Sequence, residues 1–290
     1  MARISSLRIA TDFSEHADRA ARRGARLAHA LGITGARLIH VAEKPGLLAV
    51  QALLADPIEE AMARAMDASL EAIEADTGYR LTGDIHEGKV TEYLLEGAGA
   101  DTLLVLGSQG AHAWQDRVLG STATRIVRHS QSPTLAVRGA AQGDYQRVLV
   151  PVDLTDVSGQ ALDMALTIAP EASLELLYTW APVTVPYGGF MSISGDMMAA
   201  YAADQQAAGH DGLSRLCEAH GLAPERVTCT VRRDFPARGI LQRARELNAD
   251  LIVMGKESGH RLEKLLVGSV TSQVLAHADA DVLVVPRAPD

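Results

Sequence analysis

Short apolar runs alternate along the chain with stretches in which apolar residues return at every third or fourth position. Leu7 to Thr11 has the run of a strand. From Ser14, an N-cap candidate, Ala17, Ala20, Ala21, Gly24, Leu27, Ala28 and Leu31 recur at helical spacing, with Arg19, Arg22, Arg23 and Arg26 mostly opposite. Gly32 is placed to stop that helix. Ala36 to Val41 is a second strand, and residues 43–56 form a loop whose Leu47-Leu48-Ala49-Val50 segment suits a short packed helix. A long helix starts at Pro57, carries Ile58, Met62, Met66, Leu70 and Ile73 on one stripe, and ends near Gly78. A third strand lies near Arg80 to His86, and a helix runs from Val90 to near Gly97. Thr102 to Leu106 is a fourth strand, Thr122 to Arg128 a helix, and Pro133 to Val137 a fifth strand. Strands separated by helices imply a parallel sheet covered on both faces, an α/β fold.

The second half repeats that order. Arg147 to Val152 is its first strand, and Asp153 matches Asp12 at an offset of 141 residues. Gly255 matches Gly107 and Gly268 matches Gly120, both at 148. Tyr178 matches His40 at 138 and Asp234 matches Gly88 at 146, so the second copy gains eight residues between its second and third strands. Residues 181–198, with Pro-Gly segments and Met191, Met197 and Met198, are the place for them, as a lid, a packing arm or a mobile loop. The linker, Gly139 to Asp144, is short. We expect two Rossmann-like units, residues 1–140 and 145–290.

Each fourth strand enters a glycine-rich stretch. Leu106-Gly107-Ser108-Gln109-Gly110 is followed by Gly120-Ser121-Thr122 at a helix start. Glycine lets backbone N–H groups approach a ligand, and a helix N-terminus suits phosphate oxygens. Taken alone, the glycines are better accounted for by a tight turn at Gly107, a loop at Gly110 and a serine cap at Ser121. The spacing Gly107-x2-Gly110-x9-Gly120-Ser121, with Leu7-Arg-Ile-Ala-Thr-Asp12-Phe-Ser14, Leu38-Ile-His40-Val41 and Pro133 to Val137 around it, resembles the universal stress protein family across both halves.

That resemblance implies five-stranded sheets in the order 3-2-1-4-5, with ATP bound beyond the strand ends. By resemblance, Asp12 and the backbone at Val41 hold the adenosine, while Gly107, Gly110, Gly120, Ser121 and Thr122 hold the phosphates with Mg²⁺ or Mn²⁺. Taken alone, Asp12 suits an Asx turn before the Ser14 helix equally well. His40 is expected to be satisfied locally. In the second copy Asp153, Gly255, Gly268 and Ser269 are kept. Ser258 stands at the family's second glycine with Gly259 after it, and Glu257 adds charge that Lys256 can offset. Tight binding is therefore expected in the first copy. Family members also pair through the last strand. Leu135, Val137, Leu283 and Val285 are then expected at a pseudo-two-fold seam on one face, with Ala136 and Val284 on the other.

Composition narrows the classes. A balance of 27 basic and 36 acidic residues, net −9, argues against a nucleic-acid binder. Cys217 and Cys229 are too few and too isolated for a disulfide framework or a zinc site. No apolar run suits a membrane span and no signal peptide is evident, so a cytoplasmic location is expected. Gly83-x4-Gly88-Lys89 imitates a phosphate loop, but Val90 stands where magnesium needs a hydroxyl.

The leading reading is an ATP-dependent stress-response regulator. The alternatives are an enzyme of the adenine-nucleotide α-hydrolase-like group with slow ATP hydrolysis, or a dimerisation scaffold with vestigial sites. No catalytic residue or metal ligand is assigned. Apolar side chains on the Ile58–Met66 stripe and in the insertion suggest a homodimer of the tandem chain. No protein partner is identified.

Overall fold

Strand β1 (Ser6–Ala10) buries Leu7 and Ile9 completely, and helix α1 (Glu15–Ala30) follows it. Ser14 Oγ accepts the Ala17 N–H at 3.3 Å as the N-cap, and Gly32 takes φ +65° just past the C-cap Leu31. The computed structural model describes residues 3–42, 58–108, 120–140, 143–182, 195–256 and 268–288. The expected short helix at 47–50 and most of the 181–198 insertion lie outside these.

The first half continues with β2 (Ala36–Ala42), α2 (Ile58–Thr77), β3 (Thr82–Glu87), α3 (Val90–Leu95), β4 (Thr102–Gly107), α4 (Ser121–His129) and β5 (Thr134–Val137). The second has β6 (Arg147–Val152), α5 (Asp156–Ile168), β7 (Ser173–Trp180), α6 (Gly195–Ala219), β8 (Val227–Arg233), α7 (Pro236–Leu247), β9 (Leu251–Lys256), α8 (Ser269–His277) and β10 (Asp281–Pro286). Gly83 of the imitation phosphate loop lies inside β3, and Gly88 is the turn before α3, with φ +137°. On α2, Met66 and Ile73 are buried against the sheet, Leu70 packs beside them and Met62 is half-buried, so these side chains serve the core.

All ten strands form one sheet, in the order β3-β2-β1-β4-β5-β10-β9-β6-β7-β8. Each half has the expected order 3-2-1-4-5, and every neighbouring pair is parallel except β5 with β10. The offsets found in the sequence are those of the strand register. Leu7 pairs Ala36 and Val148 pairs Leu174, while His40 pairs Ile85 and Tyr178 pairs Val231. At the seam Leu135 pairs its own equivalent, Leu283, so a pseudo-two-fold axis passes between them. Leu135, Val137, Leu283 and Val285 lie in one core cluster with α1, α2, α5 and α6. Ala136, Val282 and Val284 lie in the other, with α3, α4, α7 and α8.

Polar groups also hold the seam. Asp281, 3 % exposed, accepts the Arg138 N–H at 2.7 Å and the Gly139 N–H at 3.2 Å on Oδ1, and the Tyr145 hydroxyl at 2.7 Å on Oδ2. Arg23 of α1 lies 3.4 Å from the same Oδ2, over the Tyr145 ring, and donates to the Gly143 carbonyl at 2.6 Å. Cys217 and Cys229 are not isolated as the sequence suggests. The return of the chain from α6 into β8 brings their Sγ atoms to 3.5 Å. Among the described residues no helix is long and apolar enough to cross a membrane.

Candidate functional site

In each half the first strand ends in the acid that the sequence singles out. Asp12 Oδ1 accepts the Ser14 N–H at 3.0 Å, which is the Asx turn left open by the sequence. Asp153 repeats it, with Oδ1 accepting the Thr155 N–H at 3.1 Å, the Thr155 hydroxyl at 2.7 Å and the Ser158 hydroxyl at 2.8 Å. Burial alone raises the Asp153 carboxyl, but the hydrogen bonds from Thr155 and Ser158 outweigh it and hold the group below the usual aspartate value. The residue after each acid has positive φ, Phe13 at +61° and Leu154 at +63°. Side chains rarely adopt this conformation, and its recurrence at equivalent positions marks a turn kept at an energetic cost. His40 is satisfied locally, as expected, by the Thr11 carbonyl at 2.9 Å and by the Phe13 ring.

Across the sheet β4 ends at Gly107. The Gly120 N–H donates to the Ser108 carbonyl at 2.8 Å, which ties the start of α4 to the strand end. Gly120 is an N-cap without a side chain, and the first intrahelical bond runs from the Thr124 N–H to the Gly120 carbonyl at 2.9 Å. The N–H groups of Ser121, Thr122 and Ala123 therefore precede the helix ladder, at its positive end. Gly268 and α8 repeat this arrangement, with Ser272 bonded to Gly268 at 2.9 Å.

In the second half these parts enclose a cavity of about 440 Å³. Asp153, Thr179, Gly255, Gly268, Ser269 and Thr271 stand in its wall, with Ile240 and Met254 supplying apolar lining. The volume and the mix of apolar wall with a few polar groups suit a small ligand. In the first half Val41, equivalent to Thr179, is buried beside Leu104, Leu106 and Ala123. Gly110, Glu257, Ser258 and Gly259, on which the contrast between the copies rests, lie outside the described residues.

Packing adds a second reason for the strand-end glycines. A Cβ on Gly107 would lie 2.9 Å from both the carbonyl carbon and oxygen of His16. One on Gly255 would lie 2.4 Å from Val157 Cγ1. Both positions are where the first helix of a half crosses the end of its fourth strand.

Lys256 departs from the sequence expectation. Its ammonium is committed to carbonyls of the other half, while Glu257 lies outside the described residues. Lys256 is buried and donates to the carbonyls of Val127 at 2.8 Å, Arg128 at 2.7 Å and Ser130 at 3.4 Å, at the C-terminus of α4 in the other half. A cation there complements the negative helix end. Burial lowers its pKa from 10.5 to about 8. Between these values the unfolded chain holds the proton that the native state has released, so this residue's contribution to stability rises with pH across the window. In a carbon-13 titration its ε-carbon is expected to move near pH 8, ahead of the other lysine signals, and Lys256→Gln identifies the resonance.

A family model described as the universal stress protein family matches residues 7–138 and again 144–286. A universal stress protein of Mycobacterium tuberculosis is 27 % identical over 79 % of this chain and 77 % of its own length. One from Methanocaldococcus jannaschii is 28 % identical over 49 % of this chain and 83 % of its own. Among solved structures, that of a universal stress protein from Archaeoglobus fulgidus covers 98 % of both chains with a TM-score of 0.69 at 19 % identity, a likeness of fold.

Proposed function

The chain belongs to the universal stress protein family, and on that premise we propose that it is an ATP-binding regulator of a stress response. The observation that carries this reading is that a strand-end aspartate, a strand-end glycine and a helix N-terminus without a side-chain cap line the second-half cavity together, and the first half has the same three elements at equivalent positions. An aspartate accepts bonds from ribose hydroxyls or an adenine amine, and uncapped N–H groups donate to phosphate oxygens. The two therefore belong at opposite ends of one nucleotide.

In this reading Asp12 and Val41 hold the adenosine, and Gly107, Gly110, Gly120, Ser121 and Thr122 the phosphates. ATP binds tightly in the first unit, whose loop sequence keeps both glycines. The metal, Mg²⁺ or Mn²⁺, would offset phosphate charge beside the Ser121 and Thr122 hydroxyls. The second unit keeps Asp153, Gly255, Gly268 and Ser269 around its cavity and binds more weakly, because Ser258 and Glu257 stand in its loop. The location proposed is cytoplasmic, and turnover, if any, is slow.

Calorimetric titration with Mg-ATP tests this with two variants. Gly110→Val is expected to weaken the tight site about 100-fold, a loss of about 3 kcal/mol. Gly268→Val should leave it intact. At Gly268 an added Cβ meets, among the described residues, nothing nearer than Thr271 Oγ1 at 4.0 Å, so the described fold accepts it while the second site loses its phosphate approach. Tight binding that survives Gly110→Val and disappears in Gly268→Val would move the site to the second unit. No binding in the wild type would overturn the reading.

A further inference from the structure

Cys217 lies in the last turn of α6, and Cys229 lies in β8, the terminal strand of the sheet. Along β8 alternate side chains share a face. Val227 and Val231 on either side of Cys229 pack on the same core cluster as Cys217, so both sulfurs occupy the seam between helix and edge strand. Both are free thiols, with Sγ atoms 3.5 Å apart. Their exposures differ, Cys229 being exposed and Cys217 partly covered. Burial, with the neighbouring Cys229 adding to it, pushes the Cys217 thiol up to about 12. The more accessible sulfur is thus Cys229, with a second thiol already in contact behind it.

We propose that Cys217 and Cys229 form a peroxide-responsive dithiol–disulfide site, with Cys229 the nucleophile and Cys217 the resolving thiol. The Cys229 thiolate attacks one oxygen of hydrogen peroxide. The O–O bond breaks, hydroxide leaves and is protonated to water, and Cys229 becomes a sulfenic acid. Cys217 then attacks the Cys229 sulfur as it gives up its proton. The S–O bond breaks, and the departing hydroxide takes that proton as a second water. Two thiols and one peroxide yield one disulfide and two waters, the sulfur pair losing the two electrons that the peroxide gains.

Bond formation asks the sulfurs to close from 3.5 Å to about 2.05 Å. The movement falls on the last turn of a helix and on an edge strand, where local adjustment costs least. The cross-link would fix the far end of a helix that is bonded to Tyr178, a residue lining the second-half cavity. On α6, Gln205 accepts the Tyr178 hydroxyl at 3.2 Å, and Gly212 lies against Leu154, next to Asp153. The site is independent of what the cavity binds.

The test treats the reduced full-length protein with equimolar hydrogen peroxide, then alkylates it with a maleimide under denaturing conditions and measures intact mass. The wild type is expected to lose both alkylatable thiols and become two hydrogens lighter as a monomer, and dithiothreitol should restore both. Cys217→Ser should stop at a sulfenic acid on Cys229 that dimedone traps, whereas Cys229→Ser should keep Cys217 alkylatable. Two maleimide adducts on the peroxide-treated wild type, or disulfides formed only between chains, would overturn the proposal. A dimedone adduct on Cys217 in Cys229→Ser would overturn the assigned roles.

Discussion

Asp281→Ala is expected to lower the unfolding free energy by about 3–5 kcal/mol, the range for breaking a buried ion pair from one side. The substitution leaves the buried Arg23 guanidinium without its anion, and the Arg138 and Gly139 N–H groups and the Tyr145 hydroxyl without their acceptor. These groups come from α1 and from the connection between the halves, and Asp281 itself from β10, so the loss falls on the seam. A control is close by. Asp279 pairs with Arg245 at 2.9 Å with both side chains more than half exposed, and Asp279→Ala should cost at most about 1 kcal/mol. Urea denaturation compares them, and equal midpoints for the two variants would refute the assignment. The pH dependence has an uncommon sign. Burial raises the Asp281 carboxyl more than its N–H donors and Arg23 lower it. As pH rises from the unfolded aspartate value through the raised native one, the native state holds the proton that the unfolded chain has lost. The contribution of Asp281 is therefore complete below that window and declines as pH rises through it.

The equivalent glycines Gly107 and Gly255 should answer differently to alanine. At Gly107 the new methyl meets the backbone of His16 at 2.9 Å, and helix α1 must shift to admit it. A cost of about 1–3 kcal/mol is expected for such overpacking, and no side-chain truncation relieves it. At Gly255 the nearest atom is Val157 Cγ1 at 2.4 Å, the tip of a valine, with the Val157 carbonyl at 3.3 Å. Gly255→Ala should therefore be partly rescued by Val157→Ala. A double-mutant cycle on thermal or urea unfolding reads this as a favourable coupling of about 1 kcal/mol or more. Additive costs at the Gly255–Val157 pair would show that the strand end moves as a whole.

The sequence carried the fold well because strands in a parallel sheet announce themselves as short apolar runs, and a repeat fixes their offsets. Matching Asp153 to Asp12 and Gly255 to Gly107 anticipated the register found between β6, β7 and β9. Alternation along the last strands placed Leu135 and Leu283 on one face before any contact was known. What escaped was chemistry between side chains and distant backbone. Lys256 finds its acceptors on α4, 126 to 129 residues earlier in the chain, and main-chain carbonyls leave no trace in a sequence. Cys217 and Cys229 looked isolated because a spacing of 12 residues says nothing until the direction of β8 against α6 is known. Gly107 was read as a ligand-facing glycine or a tight turn, and its close approach to the chain's own helix, which calls for the same residue, went unseen. At Asp12 both sequence readings concern one carboxylate, and the turn it forms is the one observed.

The antiparallel pairing of β5 with β10 has a consequence for mass action. A last-strand pairing made between two separate chains would dissociate on dilution. Here both partners lie on one polypeptide, joined between Val137 and Arg147 by a short connection. The encounter is intramolecular, at the high effective concentration of a short tether. Expression level then has no grip on whether the two folds meet. Separating the two halves then takes a change in the chain itself, not a change in how many copies of it are present.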